Sequence, residues 1–358
     1  MIRLGFFIFL FIFLAIYGSA HWAFYALFTK VFTLASPWGH ILKGFFAFSG
    51  ALFLIVRVTP LSWKPLAWWA NVWFGIVFIG VTFWLLQALP LLLWKGQGRA
   101  YAGTALGLTA LISIFSLIHG AFAPRLKPIA LDIPGAPSMT VAQISDVHLN
   151  RWTSIPLLEG IVDKTMEAKP DLIVITGDLT DERNGELDFL IPSLRKLKAP
   201  LGVYAIPGNH EFYTGIQRAA DLLQKADIRF LRNEWLDLPN GWVLAGIDDP
   251  AAREMSLPVP KPAEFLATLP KGKSILLMNH RPLDWDAARA AGVKLQLSGH
   301  LHAGQIPPMD AIVFLAFKYP CGLYTKGDAF LYTTSGAGFW GPPMRFIIGA
   351  EIPVFRIN

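Results

Sequence analysis

The first 122 residues contain no aspartate or glutamate, and four long apolar stretches fill most of them, at about residues 2–27, 44–56, 67–94 and 102–122. Three of these reach the roughly 20 residues that an α-helix needs to cross a bilayer, and the second approaches that length if counted over residues 41–58. Backbone polar groups in lipid must be satisfied within their own segment, so such stretches are restricted to helices. Basic and aromatic side chains flank them, as in Trp63-Lys64, Trp68-Trp69 and Trp94-Lys95, where snorkelling cations and amphipathic rings prefer the headgroup layer. Residues 1–122 therefore read as an all-α transmembrane region of about four helices, a multi-pass anchor. Buried helices of a large soluble core are the competing reading, which the absence of any acid disfavours. Gly18-Ser19-Ala20 resembles a signal-peptide cleavage site, but the apolar character continues past it to Phe28. His21, His40 and His119 lie near the ends of these stretches and are expected to be structural.

The charge is equally divided in kind. Seven basic residues precede residue 123, leaving 24 lysines and arginines against 25 acids in the remainder, so the net +6 belongs to the apolar region. A nucleic-acid partner is excluded on that ground, since a binding domain should carry its own basic face. The single cysteine, Cys321, rules out an intrachain disulfide and a thiolate metal site. With four crossings the flanking basic residues divide five against four, which does not orient the anchor; an amino terminus inside is the commoner start and gives a cytoplasmic second domain.

Residues 123–138 carry four prolines and read as a stiff linker leaving the membrane surface. A domain of class α/β is expected over residues 139–358. Apolar strands at 139–145, 171–176, 201–206, 242–247, 274–278 and 294–297 alternate with helical patterns such as residues 155–168, implying a largely parallel inner sheet. Strands at 329–334 and 345–355 are expected in a second sheet, giving a two-sheet sandwich flanked by helices.

Five of the predicted strands end in a short polar loop: Asp146-Val147-His148, Gly177-Asp178, Gly208-Asn209-His210-Glu211, Asn279-His280 and Gly299-His300-Leu301-His302. Open α/β sheets place their chemistry at such carboxyl ends. One histidine in a loop is unremarkable, but all five histidines after residue 120 lie in these loops. Carboxylate, imidazole and a lone amide oxygen suit divalent ions such as Mn, Zn or Fe(II).

The order Asp-x-His, Gly-Asp, Gly-Asn-His-Glu, Asn-His, Gly-His-x-His resembles the calcineurin-like metallophosphoesterase superfamily over residues 139–358. The resemblance implies two divalent metal ions, manganese foremost. One would be held by Asp146, His148, Asp178 and His302, the other by Asp178, Asn209, His280 and His300, with Asp178 bridging. It further implies hydrolysis of a phosphate ester by a metal-bridging hydroxide, with His210 stabilising developing charge or protonating the leaving group.

The tail, with Lys318-Tyr319-Pro320, Trp340 and Gly341-Pro342-Pro343-x-Arg345, looks like the bacterial membrane-associated branch, similar in part to UDP-2,3-diacylglucosamine hydrolases and to exported phosphodiesterases. That implies a phosphodiester or pyrophosphate substrate in a lipid or lipid-linked nucleotide, processed at a bacterial inner membrane, with Arg345, Trp340 and Lys318 as substrate-binding candidates. The apolar run 311–317 is either a buried strand or a segment that dips into the bilayer. The alternative is a membrane-tethered phosphodiesterase for soluble or cell-wall phosphates; a non-catalytic subunit is the third reading. Oligomeric state is left open.

Overall fold

The computed structural model describes residues 2–59, 63–94, 96–153, 155–182 and 186–358. The chain divides into two compact units: a helical unit of Met1–Ala121, Ile306–Met309 and Gly341–Phe346, and an α/β unit comprising the rest.

The helical unit contains α1 (Ile2–Val31), α2 (Trp38–Val58), α3 (Lys64–Leu86), α4 (Ala88–Leu93) and α5 (Gly98–Ala121). Four of these helices are long and apolar enough to cross a membrane. The expected single stretch at 67–94 is interrupted at Gln87. Pro90 cannot donate to the Leu86 carbonyl and its ring clashes there, so α3 stops and a short helix follows. Large apolar side chains such as Phe11, Trp22 and Leu111 are mostly exposed, the pattern of helices facing an apolar solvent. Inside, Trp73 packs edge-on against Phe45 and Phe46 at 5.0 Å. Gly80 lets α1 approach, for a Cβ there would lie 2.4 Å from the Phe24 ring. His21 donates from Nδ1 to the Tyr17 carbonyl and accepts from Trp73 Nε1, so both ring nitrogens are used structurally. Lys95, one of the expected flanking cations, lies outside the described residues.

The helical unit also takes in two pieces of the tail, contrary to the expected boundary at 139–358. Ile306 and Met344 are buried with Val72 and Ile79. The Met344 sulfur sits where a Cβ on Gly75 would fall, 2.6 Å away.

The α/β unit contains twelve strands among the described residues: β1 (Arg125–Leu131), β2 (Met139–Ile144), β3 (Leu172–Thr176), β4 (Val203–Ile206), β5 (Arg229–Phe230), β6 (Glu234–Asp237), β7 (Trp242–Ile247), β8 (Ser274–Asn279), β9 (Val293–Ser298), β10 (Gly322–Lys326), β11 (Ala329–Thr333) and β12 (Glu351–Ile357). They form two six-stranded sheets of order β1-β12-β2-β3-β4-β5 and β10-β11-β9-β8-β7-β6. The centre of each is parallel, β2 through β5 in one and β7 through β9 with β11 in the other.

Strand periodicity accounts for the sandwich. On β3, Leu172 and Val174 enter the core between the sheets, whereas Ile173 and Ile175 face the helix-covered side with Leu158, Ile161 and Val162 of α6 (Ile155–Glu167). On β7, Trp242 and Leu244 point inward while Val243, Ala245 and Ile247 meet the helices of the other face. Both faces of these strands are buried, which is why they read as continuous apolar runs.

Three expectations are corrected. Part of the presumed linker is β1, which pairs in parallel with β12; Pro128 is tolerated there because β1 is an edge strand and the missing N–H costs no ladder bond. The last strand is Glu351–Ile357, not 345–355, and it lies antiparallel to β2 in the first sheet rather than the second. Gly341, Pro342 and Pro343 keep the preceding segment irregular. The apolar run at 311–317 is no strand: Met309–Ala316 is a helix, with Leu315 88% exposed and Ile312, Phe314 and Phe317 also exposed.

Glu351 joins β12 to the second sheet. Its carboxylate accepts from the Tyr332 hydroxyl at 2.7 Å and the Thr334 hydroxyl at 3.1 Å, and pairs with Lys127 at 2.9 Å. Glu351→Ala leaves the Tyr332 hydroxyl buried without its acceptor and should cost roughly 2–3 kcal/mol. Urea denaturation of the full chain in micelles, followed by tryptophan fluorescence, would read this as a lower midpoint with an unchanged slope.

Candidate metal centre

The carboxyl ends of β2, β3 and β4 in one sheet and of β8 and β9 in the other deliver the polar loops to one place. Among the expected ligands, Asp146 (φ 56°), His148 (φ 54°), Asp178 (φ 49°), His300 (φ 72°) and His302 (φ 49°) have left-handed backbone. That conformation costs a non-glycine residue on the order of 1 kcal/mol or more and persists only where its surroundings enforce it. The enforcement is visible. Asp146 Oδ1 accepts from the His300 N–H at 2.9 Å, and Asp178 Oδ1 from the His210 N–H at 2.9 Å. A Cβ on Gly208 would lie 2.2 Å from Asp178 Oδ1, and one on Gly299 2.2 Å from Asp146 Oδ2.

Three donor groups result among the described residues: His148, Asp181 and His210 form one, and the other two consist of expected ligands. Of those two, Asp146, His148 and His302 form the first; Asp178, His280 and His300 form the second, the donor atoms of each lying within 4.8 Å of one another. Asn209 Oδ1 lies 3.3 Å from His280 Nε2 and joins the second. Asp178 Oδ2 stands 3.9 Å from His148 Nε2 and 3.2 Å from His280 Nε2, so one oxygen faces both groups.

The donors fit divalent cations. Asp146 and Asp178 are fully buried, and among the described residues their ion-pair partners are histidines alone. Buried carboxylates without a lysine or arginine need another source of positive charge. His148 Nε2 and His302 Nε2 face each other at 3.0 Å, an approach that suits two nitrogens directed at one ion. His280 donates its Nδ1 proton to the Thr176 carbonyl at 2.8 Å, leaving Nε2 as the donor atom, the tautomer that metal-bound histidines adopt.

Burial would lower His280, but Asp178 raises it to about 10, so a cation bound there would have to displace its Nε2 proton. Burial pushes Asp146 up to about 6, with Asp178 adding to the rise. Burial acts the same way on Asp178, but His280 and His210 outweigh it and hold that carboxyl well below its usual range. Burial lowers His148 to about 4 and His300 to about 3, which keeps their lone pairs available at neutral pH. His210 is the contrast: burial would lower it, yet Asp178 and Asp181 raise it to about 9.

Asp181 and Glu211 support the candidate ligands and were not expected from the sequence. Asp181 Oδ1 accepts from His210 Nδ1 at 2.8 Å and aims the ring. Glu211 accepts from the backbone N–H groups of Asp178, Thr180 and Gly208 at 3.0, 2.8 and 2.8 Å, tying two loops together. A signal existed for Glu211, because a glutamate three residues into a helix that opens at a glycine is a capping pattern. Of the substrate-binding candidates, Trp340 lies beside His210, the ring centroids 6.1 Å apart. Lys318 is on the surface against Asp286 and Tyr319. Arg345 is buried in the helical unit, its backbone N–H donating to the Ser116 carbonyl.

With this geometry in view, the family model for calcineurin-like phosphoesterases matches residues 139–304. An uncharacterized metallophosphoesterase of Campylobacter jejuni is 33% identical over 68% of this chain and 66% of its own length. One from Aquifex aeolicus is 31% identical over 63% of this chain and 87% of its own length. A transmembrane protein with metallophosphoesterase domain from Danio rerio is 33% identical over 69% of this chain and 60% of its own. The chain spans just under two thirds of the length of several of these relatives. The order of the loops, the two donor groups that meet at Asp178 and the length of these matches lead to one assignment: the chain belongs to the calcineurin-like metallophosphoesterases.

Proposed function

We propose that this protein is a membrane-anchored, dinuclear metal-dependent hydrolase of a phosphodiester or pyrophosphate. The observation that carries the reading is that Asp178 Oδ2, in one donor group with His280 and His300, also faces His148 of the other. Two divalent cations there, with manganese favoured by the oxygen and imidazole donors, would draw the phosphate in and ready a water for attack. The remaining work falls to the chain. Asp178 would serve both cation positions. Thr176 fixes the tautomer of His280. His210, aimed by Asp181 and with its pKa raised to about 9, would donate from Nε2 to the departing oxygen. Glu211 holds the loops of Asp178 and Asn209 in register.

The substrate we favour is a lipid or lipid-linked nucleotide such as UDP-2,3-diacylglucosamine, at the cytoplasmic face of a bacterial inner membrane. Support comes from the exposed apolar helix Met309–Ala316, which offers Ile312, Phe314 and Leu315 to an acyl layer, and from four helices able to cross a membrane.

Asp178→Asn and His210→Ala should each lower turnover of a simple phosphodiester by about 10²- to 10⁴-fold, measured with Mn²⁺ in micelles; rates like those of the unaltered protein would favour a non-catalytic role. Gly299→Ala, which presses on Asp146, should weaken metal affinity by roughly 10- to 100-fold, read by elemental analysis after dialysis and by loss of the rise in melting temperature on adding Mn²⁺. Leu315→Glu costs little stability because the side chain is exposed. It should lower the ratio of activity on a lipid-embedded ester to activity on a soluble one several-fold, and an unchanged ratio would point to soluble or cell-wall phosphates.

A further inference from the structure

We propose that Tyr213 and Trp340 form the leaving-group subsite of this centre, a pair of preset aromatic walls that selects an ester whose departing alcohol carries a flat ring, aryl or nucleoside, over a small aliphatic one. The inference rests on the hydrolase reading above, since it takes His210 as donor to the departing oxygen.

The Tyr213 and Trp340 rings lie 5.8 and 6.1 Å from that of His210, both edge-on. Each is about two-fifths exposed, at 41% and 42%. Aromatic side chains that serve only the core bury far more of their surface.

Both are nonetheless held. Tyr213 follows His210 by three residues on the helix Asn209–Thr214, one turn on, and its hydroxyl feels the charge of Arg281. Arg281 is itself clamped by the fully buried Asp249 at 2.8 and 3.0 Å. Trp340 donates its backbone N–H to Gln305 Oε1 at 3.0 Å and accepts from Gln305 Nε2 at 3.2 Å. Just upstream, Ala337 and Gly338 donate to the carbonyls of Ser145 and Asp146, so the loop bearing Trp340 is tied to a loop of the candidate metal centre.

Rings fixed in advance lose little freedom on binding. In this subsite the substituent of an oxygen that takes its proton at His210 would lie against these two rings. A planar substituent can stack there, an interaction that on aromatic platforms is equivalent to about 5- to 100-fold in affinity.

The test uses the full chain in micelles with Mn²⁺ and two phosphodiesters that differ only in the leaving group, phenol against a fluorinated aliphatic alcohol of matched acidity. Tyr213→Ala and Trp340→Ala should each lower the ratio of kcat/KM, phenyl over fluoroalkyl, by about tenfold, chiefly through KM, and Trp340→Phe should restore most of it. Active Ala variants with an unaltered ratio overturn the subsite alone. An unaltered protein that cleaves neither ester overturns the hydrolase reading and the subsite with it.

Discussion

Two buried carboxylates whose ion-pair partners among the described residues are imidazoles are the constraint on which the α/β unit depends. Burying an ion costs several kcal/mol unless opposite charge is close. Asp146 responds by rising to about 6 and Asp178 by drawing His280 up to about 10. Glu211, a third buried carboxylate, is pushed up to about 7 by burial and by Asp178. A core of this kind is stable only when positive charge sits among the acids, and the converging nitrogens of His148, His300 and His302 show where it would sit.

The sandwich exists to hold that arrangement. Strands from both sheets end on the same edge because the core between them, from Leu172 and Val174 to Trp242 and Leu276, locks their relative position. Three of the loops turn sharply through left-handed backbone at candidate ligands themselves, Asp146 and His148, Asp178, and His300 and His302. The strain is local to the loops, and the regular strands beneath them supply the packing that sustains it.

Much of this was legible in the sequence, for reasons that differ by element. The helices of the first third announce themselves by length and by the absence of acids. The loops at the strand ends are legible because aspartates and histidines set directly after buried strands lose their solvation, a cost that only a close partner or a bound ion offsets. What escaped depends on pairing between distant residues. Nothing within residues 125–131 says that they join Glu351–Ile357 as an edge, and nothing in that last strand says which sheet it enters. Residues 311–317 were ambiguous because a short apolar run has no period to read. Asp181 escaped because its partner, His210, is 29 residues away.

The tail shows how a motif can carry a different meaning from the one its residue types suggest. Gly341-Pro342-Pro343-x-Arg345 is part of the tail that resembles the membrane-associated branch, and its arginine is an expected substrate-binding residue. Its surroundings are those of packing: a Cβ on Gly120 would lie 2.7 Å from the Pro343 carbonyl oxygen, Met344 fills the space against Gly75, and Arg345 is buried. The chain enters the helical unit immediately after Gln305 and again immediately after Trp340, the two residues that bond reciprocally in the α/β unit. Substitutions in α3 or α5 that disturb Met344 or Ile306 therefore act on segments continuous in the chain with Trp340, which lies beside His210, and with its partner Gln305.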